Sequence, residues 1–475
     1  SSRVEPTTKQ KMHYTVDMKK GYLHHLIHII WDAIGKLNGK VKPLEIERMA
    51  VMAHRVMFHQ SRMFHSMEHV FSFLDTDDPI IALAAVFHDM VYLQVDNGVP
   101  TPLLDLLSPY LQVEGTTVMF HPSATETKEF QLCCTLFGRD SMVTLAHPSG
   151  YNEFLSGFIF YLLFKEMLST EDLGAVLLCI EASIPFRDLD EQGRSVGEAL
   201  EARARGAFPD ASEDCIQRMV HRAIHFANRD VGDFANPDTG PLHSTTWKLL
   251  PETNWTLRNR GAFSIQEYRK ALYNMLNFFR SLEPERIFHS YLGVPPEEEL
   301  KALREKARTN LSLSVQYLRA KLLAVCALEA LAILSGGDAP MALFMGDLDS
   351  KEPDAATLVR FLPSLPFPPW LQEEHPVVRL LRDGRLEESS FDLRNSPFAL
   401  WLYKGLRPEE WGRLAVGMEG FFKGEFSPQA FLALFPGCSK GNMEGPLADI
   451  LKASIEMVPT RREYFQKLLQ KGLCP

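Results

Sequence analysis

Apolar residues recur at intervals of three and four along most of the chain, the spacing that places them on one face of an α-helix. The clearest such segments are 21–37, 43–60, 152–168, 213–235, 264–282 and 296–334. Two further helices are predicted at about 62–74 and 80–93, and the first half of the second is almost wholly apolar. The pattern therefore predicts an all-α protein.

Two stretches interrupt the helical pattern. Residues 97–151 contain prolines, glycines and the β-like run LQVEGTTVMF at 111–120, which predicts an insertion of irregular or small β structure. The stretch GVPPEEEL at 293–300 predicts a domain boundary. We therefore expect a helical domain over residues 1–295, which contains the insertion, and a C-terminal helical region over 296–475 whose role the sequence does not indicate.

Composition narrows the class of protein. The chain has 475 residues, 45% of them hydrophobic, and a net charge of −10 without a Lys/Arg block, which disfavours nucleic-acid binding. Its seven cysteines include no CxxC pair, as is typical of reduced thiols. The first 20 residues lack the apolar core of a signal peptide, and the most apolar segment, 317–334, contains three charged residues. We expect a soluble, cytoplasmic protein without a membrane partner, and a protein partner or homo-oligomer stays open.

Candidate chemistry begins with histidines in the two predicted central helices. His65 and His69 lie four residues apart in RMFHSMEHVFSFL, so a helix would place both on one face. His88 and Asp89 follow the apolar run IIALAAVF, and a buried His–Asp pair is costly unless it is paired or binds a metal. Imidazole and carboxylate ligands together suit Mn, Fe, Zn or Mg. The sequence therefore predicts a divalent metal site.

These motifs resemble the HD superfamily of metal-dependent phosphohydrolases, which have an all-α core and the ligand order His…His-Asp…Asp. FHSMEHV and FHDMVY are most similar to the subgroup with a Tyr-His-Asn-x-x-His opening, which cyclic-nucleotide phosphodiesterases also use. That resemblance implies that His65 is a catalytic proton donor and His69 a metal ligand, together with His88 and Asp89. In other members a single histidine here is the ligand, so His65 is also a candidate ligand.

The resemblance also calls for a final aspartate ligand downstream. Asp230, in HFANRDVGDFA, is the favoured candidate because it lies well along a predicted helix with apolar neighbours. Asp233 lies in the same segment. Asp347 or Asp349, in MGDLDS, is a further alternative, although both lie beyond the predicted domain boundary. The predicted metal ligands are therefore His65 or His69, His88, Asp89 and Asp230.

Other residues are candidates for catalysis and substrate binding. NEFLSG at 152–157 resembles the Asn-Glu-x-x-Ser-Ala segment of the same subgroup, and its Glu153 is a candidate catalytic base. Arg187 follows a predicted helix end, where its guanidinium could bind phosphate. Asn228, beside the favoured Asp230, could orient the substrate.

The function predicted from these residues is hydrolysis of phosphate esters, nucleotides among them, by a metal-activated water. One alternative is a di-iron oxygenase of the HD type, which needs additional ligands such as His221 and His225 for a second metal. The other is a non-catalytic regulatory or binding protein with an HD-like pocket. The substrate, the metal and the number of ions stay open at this stage.

Overall fold

The computed structural model describes residues 21–139, 150–259, 261–346, 357–387, 389, 391–439 and 442–473. In these ranges the chain is helical, with two short antiparallel hairpins, which confirms the all-α prediction with a small insertion. No helix within the described ranges combines the length and the apolar character needed to cross a bilayer.

The helices and strands up to Asp230 are α1 (Gly21–Lys36), α2 (Pro43–Met57), α3 (Met67–Phe73), α4 (Pro79–Phe87), α5 (Leu93–Asp96), α6 (Thr101–Leu107), β1 (Leu111–Glu114), β2 (Thr117–Phe120), α7 (Pro122–Thr125), α8 (Lys128–Phe137), α9 (Tyr151–Phe164), α10 (Thr170–Ala182), α11 (Val196–Ala207) and α12 (Glu213–Asp230). The remaining ones are α13 (Thr239–Thr253), α14 (Ile265–Ser281), α15 (Pro284–Ile287), α16 (Glu297–Leu334), α17 (Ala342–Met345), α18 (Pro376–Asp383), α19 (Pro397–Gly405), α20 (Pro408–Phe422), α21 (Pro428–Leu432), β3 (Cys438–Ser439), β4 (Asn442–Met443), α22 (Gly445–Met457) and α23 (Arg462–Lys471).

The described chain forms two compact units. The first contains the residues up to Asp233 and Glu283–Glu305, and the second contains Phe234–Leu282 and the residues from Lys306 onward. The predicted division at residue 295 therefore differs from the observed grouping, in which α13 and α14 belong to the second unit. The reason is packing: the hydrophobic core of the first unit extends along the chain to Ala227 and then resumes only at Tyr291.

Helix α4 is the centre of the first unit. Every residue from Ile80 to Phe87 is buried, and the helix packs against α1, α10 and α12. Its start is fixed by Asp78, whose carboxylate accepts from the backbone N–H groups of Ile80 and Ile81. A helix that is apolar on all sides has to be buried on all sides. The residue that follows Phe87, His88, therefore lies inside the protein.

The insertion is more ordered than its composition suggested. Strands β1 and β2 pair Leu111 with Phe120 and Glu114 with Thr117, which is the predicted small β structure. Helices α6 and α8 also lie in this stretch, and α8 contributes five buried residues to the core. The prolines and glycines between these short helices interrupt the helical spacing of apolar residues, so the sequence pattern did not predict them.

The second unit is organised around a buried carboxylate, Asp392. It accepts hydrogen bonds from Trp247 Nε1 at 3.1 Å, Tyr268 Oη at 2.6 Å and Lys321 Nζ at 3.5 Å. Arg385 NH1 lies 3.7 Å from the same oxygen. Burial opposes ionisation, but the charges of Lys321 and Arg385 lower the pKa of Asp392. One carboxylate therefore pairs with two cations that are distant from each other along the chain.

We expect Asp392→Ala to destabilise the second unit by about 3–5 kcal/mol, because it leaves two buried cations without their carboxylate. Urea unfolding followed by circular dichroism measures this loss. Glu373→Ala removes an exposed carboxylate 3.3 Å from Arg382 and is the matched control. Equal unfolding midpoints for the two variants would contradict the assignment.

Candidate metal centre

His88 is oriented by a bond at the end of α4. It is the C-cap residue of the helix, and its Nδ1 lies 2.9 Å from the carbonyl oxygen of Ala85. A carbonyl can only accept, so Nδ1 carries a proton, and Nε2 is the nitrogen left to bind either a second proton or a metal ion. Nε2 is buried and faces two carboxylates. An imidazole fixed in this tautomer by its second nitrogen is the usual state of a histidine that binds a metal.

Three further side chains converge on this nitrogen. Asp89 Oδ2 lies 3.0 Å from His88 Nε2, and Asp230 Oδ1 lies 3.6 Å from it. Asp230 Oδ1 is also 3.0 Å from His69 Nε2. The ligand atoms of His69, His88 and Asp89 all lie within 4.8 Å of one another, and no other such group occurs among the described residues. Asp230 is not in that group of three but contacts both of its histidines, and we call the four side chains together the four-residue centre.

The four-residue centre is electrostatically prepared for a cation. Burial opposes ionisation of Asp230, but hydrogen bonds and charge from His69 and His88 lower its pKa to about 2. The pKa of Asp89 is also lowered, since the histidine charges outweigh its burial. Conversely, the two carboxylates raise the pKa of buried His88 well above its ordinary value. Both aspartates are therefore ionised at neutral pH and attract positive charge to the lone pair of His88.

Arg62 fixes the backbone on both sides of the centre. Its buried guanidinium donates from Nε and NH2 to Asp96, at 2.9 and 2.6 Å, and from NH1 to the carbonyl of Asp89 at 2.8 Å. NH1 also lies 3.4 Å from the carbonyl oxygen of His65. We call these contacts the Arg62 clamp. They hold the residues before α3 against those after α4.

A second arginine sets the distance between α3 and α12. Arg229 donates from Nε and NH2 to the carbonyl of Phe73, the last residue of α3, at 3.1 and 2.6 Å. Its sequence neighbour Asp230 contacts His69, which lies on α3. The arginine therefore positions the carboxylate beside its histidine partner.

Helix α9 supports the turn that follows His88 and Asp89. The backbone N–H of Val91 donates to Ser156 Oγ, and that of Leu93 donates to Asn152 Oδ1, both at 2.9 Å. Asn152 Nδ2 in turn donates to Gln94 Oε1 at 3.1 Å. The polar residues of the segment NEFLSG thus hold the turn in place of helical hydrogen bonds.

These contacts explain two corrections to the predicted helices. Helix α4 ends at Phe87 instead of about residue 93, because the turn after it is held by α9 and the Arg62 clamp. Helix α3 begins at Met67 instead of residue 62, so His65 lies before the helix. The argument that His65 and His69 share a helical face was therefore wrong, and only His69 lies in the four-residue centre.

His65 and Glu153 lie around the centre. The ring of His65 is 6.4 Å from that of His69 and 4.4 Å from that of Tyr92, and its charge helps to lower the pKa of Asp89. Burial, together with the charge of Asp89, raises the pKa of Glu153 to about 7, against opposing contributions that include a backbone hydrogen bond. Both side chains therefore interact electrostatically with Asp89, but neither belongs to the four-residue centre.

Arg187 and Asn228 make internal contacts. Arg187 NH1 donates to Glu181 Oε1 at 2.7 Å, and the buried Glu181 is shared with Arg203. Asn228 exchanges two hydrogen bonds with the backbone of His289, at 2.8 and 3.0 Å. Both residues therefore have positioning roles, while their predicted binding of substrate stays a prediction.

The other candidate ligands do not join the centre. Asp233 lies in the 3-10 helix Gly232–Ala235, outside the group of three ligands. His221 Nε2 lies 3.1 Å from the carbonyl oxygen of Tyr291, and the charges acting on His225 include those of Arg229, Asp75 and Asp78. Asp347 and Asp349 lie outside the described residues.

The donors fit a divalent metal ion. His69, His88, Asp89 and Asp230 supply two imidazole nitrogens and two carboxylates, a set suited to Mn, Fe or Zn. Comparison of the chain with protein-family models, curated proteins and solved structures finds no match.

We expect Arg62→Lys to lower the free energy of unfolding by about 2–3 kcal/mol, because lysine cannot reproduce a buried bidentate bond and a carbonyl bond together. It should also weaken metal binding about 10–100-fold, as loss of a ligand-orienting contact does. Urea unfolding and metal titration measure the two effects. Arg218→Lys, at an exposed arginine on α12, is the control, and equal metal affinities for the two variants would contradict the role of the clamp.

The raised pKa of Glu153 makes stability fall as pH rises. With the metal chelated, the folded state retains a proton that the unfolded state releases, so the stabilisation is complete below pH 4.5 and lost as pH rises through about 7. Glu153→Gln should therefore match the wild type at pH 5 and be more stable by up to about 3 kcal/mol at pH 8. Thermal unfolding at both pH values tests this, with Glu166→Gln, at an exposed site, as control. A pH-independent difference would contradict it.

Proposed function

We propose that the first unit is a metal-dependent hydrolase of phosphate esters, with nucleotides as the first substrates to test. The observation that carries this proposal is the convergence of the side chains of His69, Asp89 and Asp230 on the buried imidazole of His88. The order of these residues along the chain, His…His-Asp…Asp, resembles that of HD phosphohydrolases.

The four-residue centre would hold the ion. A divalent ion bound there supplies Lewis acidity and lowers the pKa of a water that can attack phosphorus. The two aspartates offset the charge of the ion, and the bond of His88 to Ala85 keeps its lone pair directed at it. Asp89 and Asp230 carry like charges and repel each other. The Arg62 clamp and the hydrogen bonds of Arg229 hold the segments that carry these two ligands in place.

Glu153 and His65 are the proposed proton-transfer groups. A carboxyl group whose pKa lies near 7 can accept and return a proton at neutral pH, which ordinary glutamates cannot do efficiently. His65 lies outside the ligand group and next to Tyr92, so it is left to protonate the oxygen that departs from phosphorus.

The described contacts favour this function over the di-iron oxygenase. A second ion would need more ligands, but among the described residues neither His221 nor His225 belongs to a group of ligand atoms close enough together to hold an ion. We also propose that the protein acts in a reducing compartment such as the cytoplasm. Six cysteines in the described ranges are free, and Cys133 and Cys134 are buried side by side in α8 without a disulfide.

The decisive experiment measures metal content and hydrolysis on the same samples. Purified protein should hold a divalent metal and hydrolyse members of a panel of nucleotides and simple phosphate esters. Asp89→Asn should lower both metal occupancy and kcat/KM. We expect kcat/KM to fall by more than about a hundredfold, because removing a metal ligand has a larger effect than removing a residue that only orients a ligand.

His54→Gln, at a partly buried histidine of α2 outside the centre, is the control and should retain metal and rate. Metal-loaded protein inactive on the whole panel would reject the hydrolase function but retain the centre. Hydrolysis that survives Asp89→Asn would reject the centre as its source.

A further inference from the structure

A second pair of histidines lies on the exposed surface of α1. His24 and His28 are one helical turn apart, and their Nε2 atoms approach to 3.1 Å. Their ring centroids are 4.7 Å apart in an edge-to-face arrangement. The two imidazoles therefore share a hydrogen bond, in which one Nε2 donates to the other, and neither ring belongs to the four-residue centre, so the pair is independent of the function proposed for that centre.

The distance between the two nitrogens matches that of two ligands on one metal ion. A nitrogen bound to zinc lies about 2.0–2.1 Å from the ion, so two such nitrogens at about 90–109° are separated by about 2.9–3.4 Å. The observed 3.1 Å lies in this range. The two nitrogens are therefore already at the separation that a shared ion requires, and binding exchanges the proton between them for the ion.

The backbone beneath the pair is held in place. Leu26, Ile29 and Ile30 on the opposite face of α1 are buried, and the helix packs against α2 and α4. Since a packed helix fixes the i, i+4 spacing, binding does not have to order the chain. The same spacing places both zinc histidines of H-E-x-x-H helices on one face.

We propose that His24 and His28 form a surface site for a late divalent transition metal such as Ni²⁺, Cu²⁺ or Zn²⁺. The donors are both imidazoles, which suit these ions. Asp32 follows on the next turn, but its Oδ2 lies 2.8 Å from Lys36 Nζ. His25 is buried against Phe71, with ring centroids 6.2 Å apart. The remaining coordination positions are therefore open to water or to a ligand from another molecule.

Isothermal titration with Ni²⁺ tests the site on the full chain. In an Asp89→Asn background, where the four-residue centre is weakened, we expect one binding event that His24→Ala or His28→Ala weakens by roughly tenfold or more, because a single imidazole replaces a chelate. His54→Ala removes a histidine of the neighbouring α2 and should leave the event unchanged. Because His24 and His28 are exposed, their replacement should leave the helical circular dichroism intact.

A rearranged variant separates geometry from histidine content. His28→Ala combined with Trp31→His keeps two exposed histidines on α1 beside the buried His25 but moves them about 10 Å apart along the helix, too far to share an ion. It should bind Ni²⁺ as weakly as His28→Ala. In the Asp89→Asn background, the electron paramagnetic resonance spectrum of bound Cu²⁺ should show two imidazole nitrogens, which His24→Ala should reduce to one. Nickel binding that persists in His24→Ala, or equal binding by the rearranged variant, would overturn the proposal.

Discussion

The buried guanidinium of Arg62 is the constraint on which the four-residue centre depends. It hydrogen-bonds to three short segments: the residues before α3, the turn after α4, and Asp96 at the end of α5. A buried ion pair contributes little net stability by itself, but it fixes geometry strongly, because any displacement leaves a desolvated charge without its partner. The clamp thereby converts two short helices and an irregular turn into a rigid base for His69, His88 and Asp89.

Electrostatics then decides what this base can bind. Asp89 and Asp230 remain ionised although both are largely enclosed, and in the absence of a metal their charge is balanced by drawing a proton to His88. A proton and a metal ion thus compete for the same lone pair on Nε2. The bond from Nδ1 to Ala85 favours neither, since it is retained in both states. Binding of the ion therefore releases a proton, and its affinity rises with pH.

Local signals in the sequence predicted the helices, the hairpin and a buried His88–Asp89 pair, whereas Asp230 was a candidate only through the family resemblance. Periodicity identified α4 as buried, and a buried His–Asp pair after it is costly enough to indicate a site. The sequence could not predict the ends of α3 and α4, because these are set by tertiary bonds. Arg62 and Asp96 are far apart in the chain, and no local sequence pattern indicates that they form an ion pair. The grouping of α13 and α14 with the second unit depends on which core they join, which local patterns do not contain.

The position of Asp230 also bears on how quickly an ion leaves. It is the last residue of α12, and helix ends open far more often than whole domains unfold. Opening of that final turn would remove one carboxylate while His69, His88 and Asp89 stay in place on their own supports. If the proposed ion binds, its dwell time would be governed by local fraying of this single turn, which the hydrogen bonds from Arg229 to Phe73 oppose. The exchange kinetics of the ion and the global stability of the protein are thus set by different contacts.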